Sequence, residues 1–223
     1  MSRRADVMPL SDKPDRALAI DSYRHLAEGY DASCGLIEPI RRSAIERLRL
    51  RPGQTVFDIA SGTGKSLPAL AAAVGPQGQV IAIEQSPEMA RIAKARIAER
   101  RLLNVNQIVA PVEEAEIDAV ADAVLFHYTH DVLRLPAALE RIFSRLRPGA
   151  TIVVAGFKSA TGWRAMFNPW FRARARGYLS TFEGTQMPWS HLVRDVPDFR
   201  VHEEYFLGSG YIGSGHFFSG RQP

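Results

Sequence analysis

Asp58, Gly62, Gly64 and Glu84 have the residue types and spacing to hold a nucleoside-like ligand. Asp58 lies in the apolar run Val56-Phe57-Asp58-Ile59, which is followed by Ala60-Ser61-Gly62-Thr63-Gly64 and then by a helical stretch. Glycines at those two places let the backbone turn sharply and approach a bound molecule closely. The helix that follows aims its free N–H groups at the same spot. Glu84 ends a second apolar run, Gln79-Val80-Ile81-Ala82-Ile83, at 26 residues beyond Asp58. An acid there can accept hydrogen bonds from two ribose hydroxyls. Further along, Phe126-His127-Tyr128-Thr129-His130-Asp131 places two histidines, a tyrosine and an acid after another apolar strand. A neutral histidine beside an acceptor could take a proton as the acceptor reacts, with Asp131 orienting the ring, or either histidine could be a satisfied structural one.

The spacing separates rival ligands. Gly64-Lys65-Ser66 resembles the end of a phosphate-binding loop, but that motif needs a glycine where Ile59 stands, and Asp58 would repel the phosphates. The dinucleotide fingerprint needs a third glycine where Leu67 stands. His127 and His130 are three apart with only Asp131 near them, too few donors for zinc, so no metal is expected.

The elements that must position these residues alternate. Strands are predicted at residues 56–59, 79–84, 105–110, 121–128 and 151–157, and helices at 66–74, 86–101 and 136–146. Ser86-Pro87-Glu88 reads as an N-cap with proline at the first helical position. Strands apolar on both faces and separated by helices imply a parallel sheet covered on both sides. Residues 199–207 and 211–218 are strand-like and joined by Gly208-Ser209-Gly210, a hairpin signal. The expected fold class is therefore α/β: a doubly wound, mainly parallel seven-stranded sheet with a C-terminal antiparallel hairpin.

Asp58, a small residue two places later and then Gly62-Thr63-Gly64 together resemble motif I of the class I S-adenosylmethionine-dependent methyltransferases, whose fold is Rossmann-like. Leu146-Arg147-Pro148-Gly149 before the fifth strand and the terminal hairpin fit the same family. Tyr23-Arg24-His25-Leu26-Ala27-Glu28-Gly29-Tyr30-Asp31 resembles the segment ahead of the core in the ubiquinone and menaquinone biosynthesis methyltransferases. The resemblance covers about residues 20–218. It implies S-adenosyl-L-methionine as cofactor, held by Tyr30, Asp58, Ala60, Ser61, Gly62, Gly64, Glu84, Gln85, Met89, Val112, Glu113 and His127. It implies Tyr23, His127, His130 and Asp131 as catalytic candidates, with Tyr128 beside them. Met89 either packs in the core or lies against the adenine. Tyr23 and Tyr30 either face the sulfonium, a cation–π contact of about 0.5–2 kcal/mol, or pack on the next helix. Many relatives read the adenine amino group with an Asp where Pro111 stands; Glu113, Glu114 or the backbone of Val112 would take over that role here. The implied reaction is methyl transfer by in-line displacement to a small-molecule or lipid-like acceptor through O, N or C. The alternative is a protein that binds the cofactor and catalyses nothing.

Composition sets the remaining expectations. With 223 residues, 46% of them hydrophobic, the chain can bury a sizeable core. The organisation expected is a mobile arm over residues 1–18 and one domain over 19–223. Within that domain, residues 19–50 form a helical cover and 158–195 an acceptor-side helical segment. One cysteine, Cys34, excludes an intramolecular disulfide and, with no apolar run of about 18 residues, suggests a cytoplasmic protein. The net charge of +4 is a mild excess, and the arginines are not interleaved with aromatics as in nucleic-acid binders, so no nucleic acid is expected. The chain is expected to be a monomer or homodimer. Trp163, Met166, Phe167, Trp170 and Phe171 recur at helical spacing among Arg164, Arg172, Arg174 and Arg176, with Asn168-Pro169 restarting a helix. This segment has three readings: core packing, cover over the acceptor, or transient contact with a membrane surface.

Overall fold

The computed structural model describes residues 17, 20, 21, 24, 29–31, 34–175 and 178–219. Tyr23 and the expected arm, apart from Ala17, lie outside the described residues. Seven strands form one sheet: β1 Thr55–Ile59, β2 Gln79–Glu84, β3 Val105–Val109, β4 Ala121–His127, β5 Leu146–Phe157, β6 Arg200–Tyr205 and β7 Gly210–His216. Their order is β3-β2-β1-β4-β5-β7-β6. The first five pair in parallel, and β7 runs antiparallel between β5 and β6. The helices are α1 Glu38–Arg47, α2 Leu67–Val74, α3 Pro87–Glu99, the single turn α4 His130–Leu133, α5 Pro136–Phe143 and α6 Asn168–Ala175.

The strand period of two divides the core into halves. Phe57, Ile59, Ile81, Ile83, Val124, Phe126, Ile152 and Val154 face α5 and the chain around Leu192 and Val196. Val56, Val80, Ala82, Ala123, Leu125, Val153 and Ala155 face α1, α2 and Ala93 of α3. Asp58 falls in the α1-facing register, which brings it opposite the buried Arg41 of that helix. The sheet reverses its winding between β1 and β4, and in open parallel sheets a ligand lies outside the strand ends at such a point.

Several boundaries differ from the sequence reading. Helix α5 ends at Phe143, and β5 begins at Leu146, because Leu146 pairs with Ala121 ahead of an irregularity in the β4–β5 register. Strand β4 ends at His127, since Tyr128 takes a φ of 58° while its N–H still donates to the Ala155 carbonyl at 2.7 Å. Helix α3 begins as expected, with Ser86 Oγ accepting the Met89 N–H and Pro87 in the first turn, and stops at Glu99. Asn168 starts α6 without capping it; its side chain bonds both the N–H and the carbonyl of Ala160, at 2.9 and 3.0 Å. Among the described residues of 158–195, helical turns run from Gly162 to Ala175, and from Tyr178 onward the chain consists mainly of turns. The hairpin between β6 and β7 turns at Leu207 and Gly208, both at positive φ (56° and 88°), with the Ser209 N–H donating to the Phe206 carbonyl at 3.1 Å.

Candidate active site

The glycine turn after β1 is shaped by what surrounds each glycine. Gly64, at φ 75°, would place a Cβ 2.8 Å from Leu67 Cδ1 and 3.0 Å from Ala93 Cβ, so only glycine lets α2 and α3 close on the turn. Gly62, at φ 56°, has nothing within 4 Å of that position and opens onto the cleft. Glu84 holds the turn from the next strand. Its Oε2 accepts the Gly62 N–H at 2.8 Å and its Oε1 accepts the Ser86 N–H at 2.7 Å. Burial raises the Glu84 carboxyl above its ordinary range, and those backbone N–H groups oppose the shift by favouring the carboxylate.

The cleft holds a cavity of about 70 Å³ that opens to solvent. Ala60, Gly62, Glu84, Gln85 and Met89 line one end, and the chain from His127 to Val132 lines the other. Tyr30 and Tyr178 close it from opposite sides of the chain, their rings edge-to-face at 6.3 Å. Met89 is 1% exposed and also lines this wall. Asp58, Ser61, Gly64, Val112 and Glu113 are not among the lining residues. Asp58 sits behind the wall, 2% exposed, with no partner for Oδ2. Its carboxyl is pushed up to about 7 by burial and, less strongly, by the charge of Glu84, while Arg41 pulls the other way.

The polar stretch after β4 turns into the cleft. His127 is pushed down to about 3 by loss of water, with Arg41 adding to the shift, so its ring is neutral at pH 7. Its Nε2 has no partner, nor has the Tyr128 hydroxyl, which burial pushes upward. The positive φ of Tyr128, a costly backbone state for a bulky residue, stacks its ring edgewise on His127 at 4.9 Å and on Phe157 at 4.5 Å. His130 Nε2 donates to the Glu183 carbonyl at 3.0 Å, leaving Nδ1 without a partner, and burial lowers this ring to about 4. Asp131 does not orient either histidine: Oδ2 accepts the Ser180 hydroxyl at 2.5 Å. Among the described residues, no group of three or more His, Cys, Asp or Glu is arranged to hold a metal ion.

The cover is fastened at Asp31. Thr63 Oγ1 donates to Asp31 Oδ1 at 2.6 Å, and Arg96 donates both to Asp31 and to the Thr63 carbonyl. Lys65 Nζ donates to the Asp31 carbonyl at 3.3 Å and lies 3.7 Å from Glu38, so this lysine serves the cover and does not face a phosphate cradle. The sequence reading did not single out Arg41, Thr129, Val132 or Tyr178. Thr129 and Val132 flank residues that were chosen. Nothing in the local pattern around Tyr178 marks it as a cleft residue.

Comparison with known proteins agrees with this geometry. A methyltransferase domain model matches residues 56–149. The ubiquinone/menaquinone biosynthesis C-methyltransferase of Hydrogenovibrio crunogenus is 29% identical over 162 residues, 69% of this chain and 63% of that protein. The chain thus spans less than two thirds of that relative's length. The demethylmenaquinone methyltransferase of Lactococcus lactis is 27% identical over 182 residues, 77% of this chain and 71% of the relative. An S-adenosylmethionine-dependent O-methyltransferase from Thermotoga maritima superimposes with a TM-score of 0.61 at 15% identity, covering 83% of this chain and 67% of that one. The 3-2-1-4-5-7-6 sheet is the fold this solved structure shares, residues 56–149 match a methyltransferase domain, and the chain is similar to the ubiquinone and menaquinone biosynthesis methyltransferases.

Proposed function

We propose that this protein transfers a methyl group from S-adenosyl-L-methionine to a small-molecule or lipid-like acceptor, through O, N or C, in the cytoplasm, as a monomer or homodimer and without nucleic acid. The observation that carries this reading is a concentration of buried polar atoms without protein partners at the ends of β1 and β4. They are Asp58 Oδ2, Ser61 Oγ, His127 Nε2, the Tyr128 hydroxyl, Thr129 Oγ1, His130 Nδ1 and Asp131 Oδ1. A buried polar atom left unsatisfied costs about 1–3 kcal/mol, and such a grouping fits a polar, cationic ligand.

When bound, S-adenosylmethionine supplies a methyl already activated on a positively charged sulfur, so the transfer is an in-line displacement. The chain's part is alignment and exclusion of water. Glu84 accepts ribose hydroxyls with lone pairs not used by Gly62 and Ser86. Asp58, ionised, accepts from a cationic group, with Ser61 beside it. Met89, Gln85 and Tyr30, which line the cleft, would bound the base. The described residues of 158–195 would line the acceptor side. A histidine lowered to about 3 is a weak base, so His127 serves chiefly as a hydrogen-bond acceptor that fixes the acceptor group, with His130 and Asp131 next to it. Support for a partner other than nucleic acid comes from the arginines: Arg41, Arg47, Arg96 and Arg134 are tied to Glu38, Glu203, Asp31 and Glu183. The cytoplasmic setting rests on the single, buried cysteine. Among the described residues, no helix is long and apolar enough to cross a membrane.

Calorimetric titration with S-adenosylhomocysteine, beside Mg-ATP and NAD, tests the reading. Binding of the first alone is expected, followed by cofactor turnover with quinol-like acceptors. Binding of Mg-ATP or NAD in its place would overturn it.

A further inference from the structure

The segment after β5 does not pack as a core element. Phe171 is buried with Ala175 and Leu179, but Trp163, Met166 and Trp170 are 70%, 73% and 67% exposed. Large apolar side chains left in water together mark a surface that meets something. The turn between β6 and β7 adds Phe206 and Leu207, 43% and 54% exposed. Both hold a positive φ, 50° and 56°, a state that disfavours every residue with a Cβ. The two elements adjoin: Arg164 lies within 3.6 Å of where a Cβ on Gly208 would stand and 3.6 Å from Glu204.

The segment after β5 carries charge of one sign. Residues 159–182 contain four arginines and no acid. Arg164 and Arg172 are exposed, and Arg164 lies over the Trp163 ring at 5.7 Å. On the neighbouring strand Glu204 bridges Lys158 at 2.8 Å and Arg164 more loosely at 3.6 Å, while Arg172 faces no acid of its own segment. Tryptophan beside arginine suits the headgroup layer of a bilayer, where an amphipathic ring and a cation are both satisfied.

We propose that this face docks on an anionic membrane surface. Trp163, Met166, Trp170, Phe206 and Leu207 enter the headgroup boundary, and Arg164 and Arg172 meet lipid phosphates. The docking stands independently of the methyl-transfer reading, but its position gives that reading a route for the acceptor. The rings of Tyr128, Phe157 and Phe171 run from the cleft wall to the inner side of α6 at centroid spacings of 4.5 and 5.0 Å. Trp170 precedes Phe171 on the solvent side of the same helix. A lipid-like acceptor leaving the bilayer at this face is one aromatic layer from the cleft.

Flotation of the full chain with phosphatidylglycerol/phosphatidylcholine vesicles, and with phosphatidylcholine alone, tests the proposal. Binding to the anionic vesicles at low salt is expected, weakened by salt, together with quenching of tryptophan emission by brominated lipids. The pair Trp163→Ala and Trp170→Ala is expected to weaken binding roughly tenfold or more, and Arg164→Ala with Arg172→Ala to remove the preference for anionic lipid. S-adenosylhomocysteine affinity should be unchanged in both, which separates docking from cofactor binding and shows that the variants fold. If the tryptophan variant does not fold, Phe206→Ser with Leu207→Ser tests the same face from the neighbouring element. The proposal is overturned if the wild-type chain stays with the pellet and shows no quenching, or if the variants bind as wild type does. It is equally overturned if sedimentation velocity finds a dimer that the tryptophan substitutions dissolve and vesicles do not compete for.

Discussion

The Glu84 carboxylate receives the Gly62 amide at 2.8 Å, and through that bond the end of β2 sets the shape of the turn that follows β1. The same side chain takes the Ser86 amide at the entrance of α3, so one buried acid fixes both loops at one end of the cleft. Glu84→Ala removes the acceptor of two backbone donors at once. It should lower stability by about 2–4 kcal/mol and abolish measurable S-adenosylhomocysteine binding. Chemical denaturation and calorimetry on the one variant read both; unchanged binding would mean that the ribose is not held here.

Gly64 and Gly62 should respond differently to the same methyl group. Gly64→Ala meets Leu67 and Ala93 and should cost about 2–3 kcal/mol of stability. Gly62→Ala meets no protein atom, so it should cost only about 1 kcal/mol through its backbone while obstructing the cleft. Melting curves with and without S-adenosylhomocysteine separate the two: the ligand-induced shift should be lost in Gly62→Ala.

Asp58 makes both stability and binding depend on pH. Its folded carboxyl titrates near 7 and its unfolded one near 3.8, so between those values the folded state holds more protons and its stability falls as pH rises. Asp58→Asn should therefore stabilise the free protein at pH 8 relative to wild type, on the order of 2 kcal/mol, and have little effect at pH 4. A cationic ligand favours the carboxylate, so wild-type affinity should rise from pH 6 to 8 with release of a proton. The asparagine variant should bind weakly at every pH. Calorimetry in buffers of different ionisation enthalpy counts that proton, and a flat wild-type profile would remove Asp58 from the site.

Asp31 should matter to the cover more than to the fold. Burial alone would raise its carboxyl, but the Thr63 hydroxyl and Arg96 outweigh burial and hold it below the usual range. A depressed acid contributes stability above its unfolded value of about 3.8, lost as pH falls through the folded one. Since the group is partly exposed, Asp31→Ala should lower stability by only about 1 kcal/mol. Stopped-flow measurement should find S-adenosylhomocysteine leaving faster, by about tenfold.

His127 is neutral throughout the physiological range, so turnover should show no step near 6.5 from its titration. His127→Ala should lower kcat by about a hundredfold while retaining S-adenosylhomocysteine binding. Equal loss of both would make it a cofactor contact only.

Sequence determined the order of the elements, the parallel sheet and the two acids, because apolar periodicity and glycine placement are local properties of the chain. Val56-Phe57-Asp58-Ile59 reads as a strand before any neighbour is known, and Gly62-Thr63-Gly64 as a close turn. The histidine pair after β4 was visible too, as polar residues in an apolar setting. Only the tertiary structure decided what these groups do to one another. Asp131 could be assigned to a histidine from sequence, yet it accepts from Ser180, 49 residues away. Lys65 turns to Asp31 and Glu38, while Arg41 comes to lie opposite Asp58 only because α1 packs on one face of the sheet. Exposure of Trp163 and Trp170 was equally undecidable, since a helical aromatic pattern is the same whether a sheet or water lies beside it. Partner choice, burial and the pKa values that follow from them depend on distances between segments far apart in the chain, which chain packing alone sets.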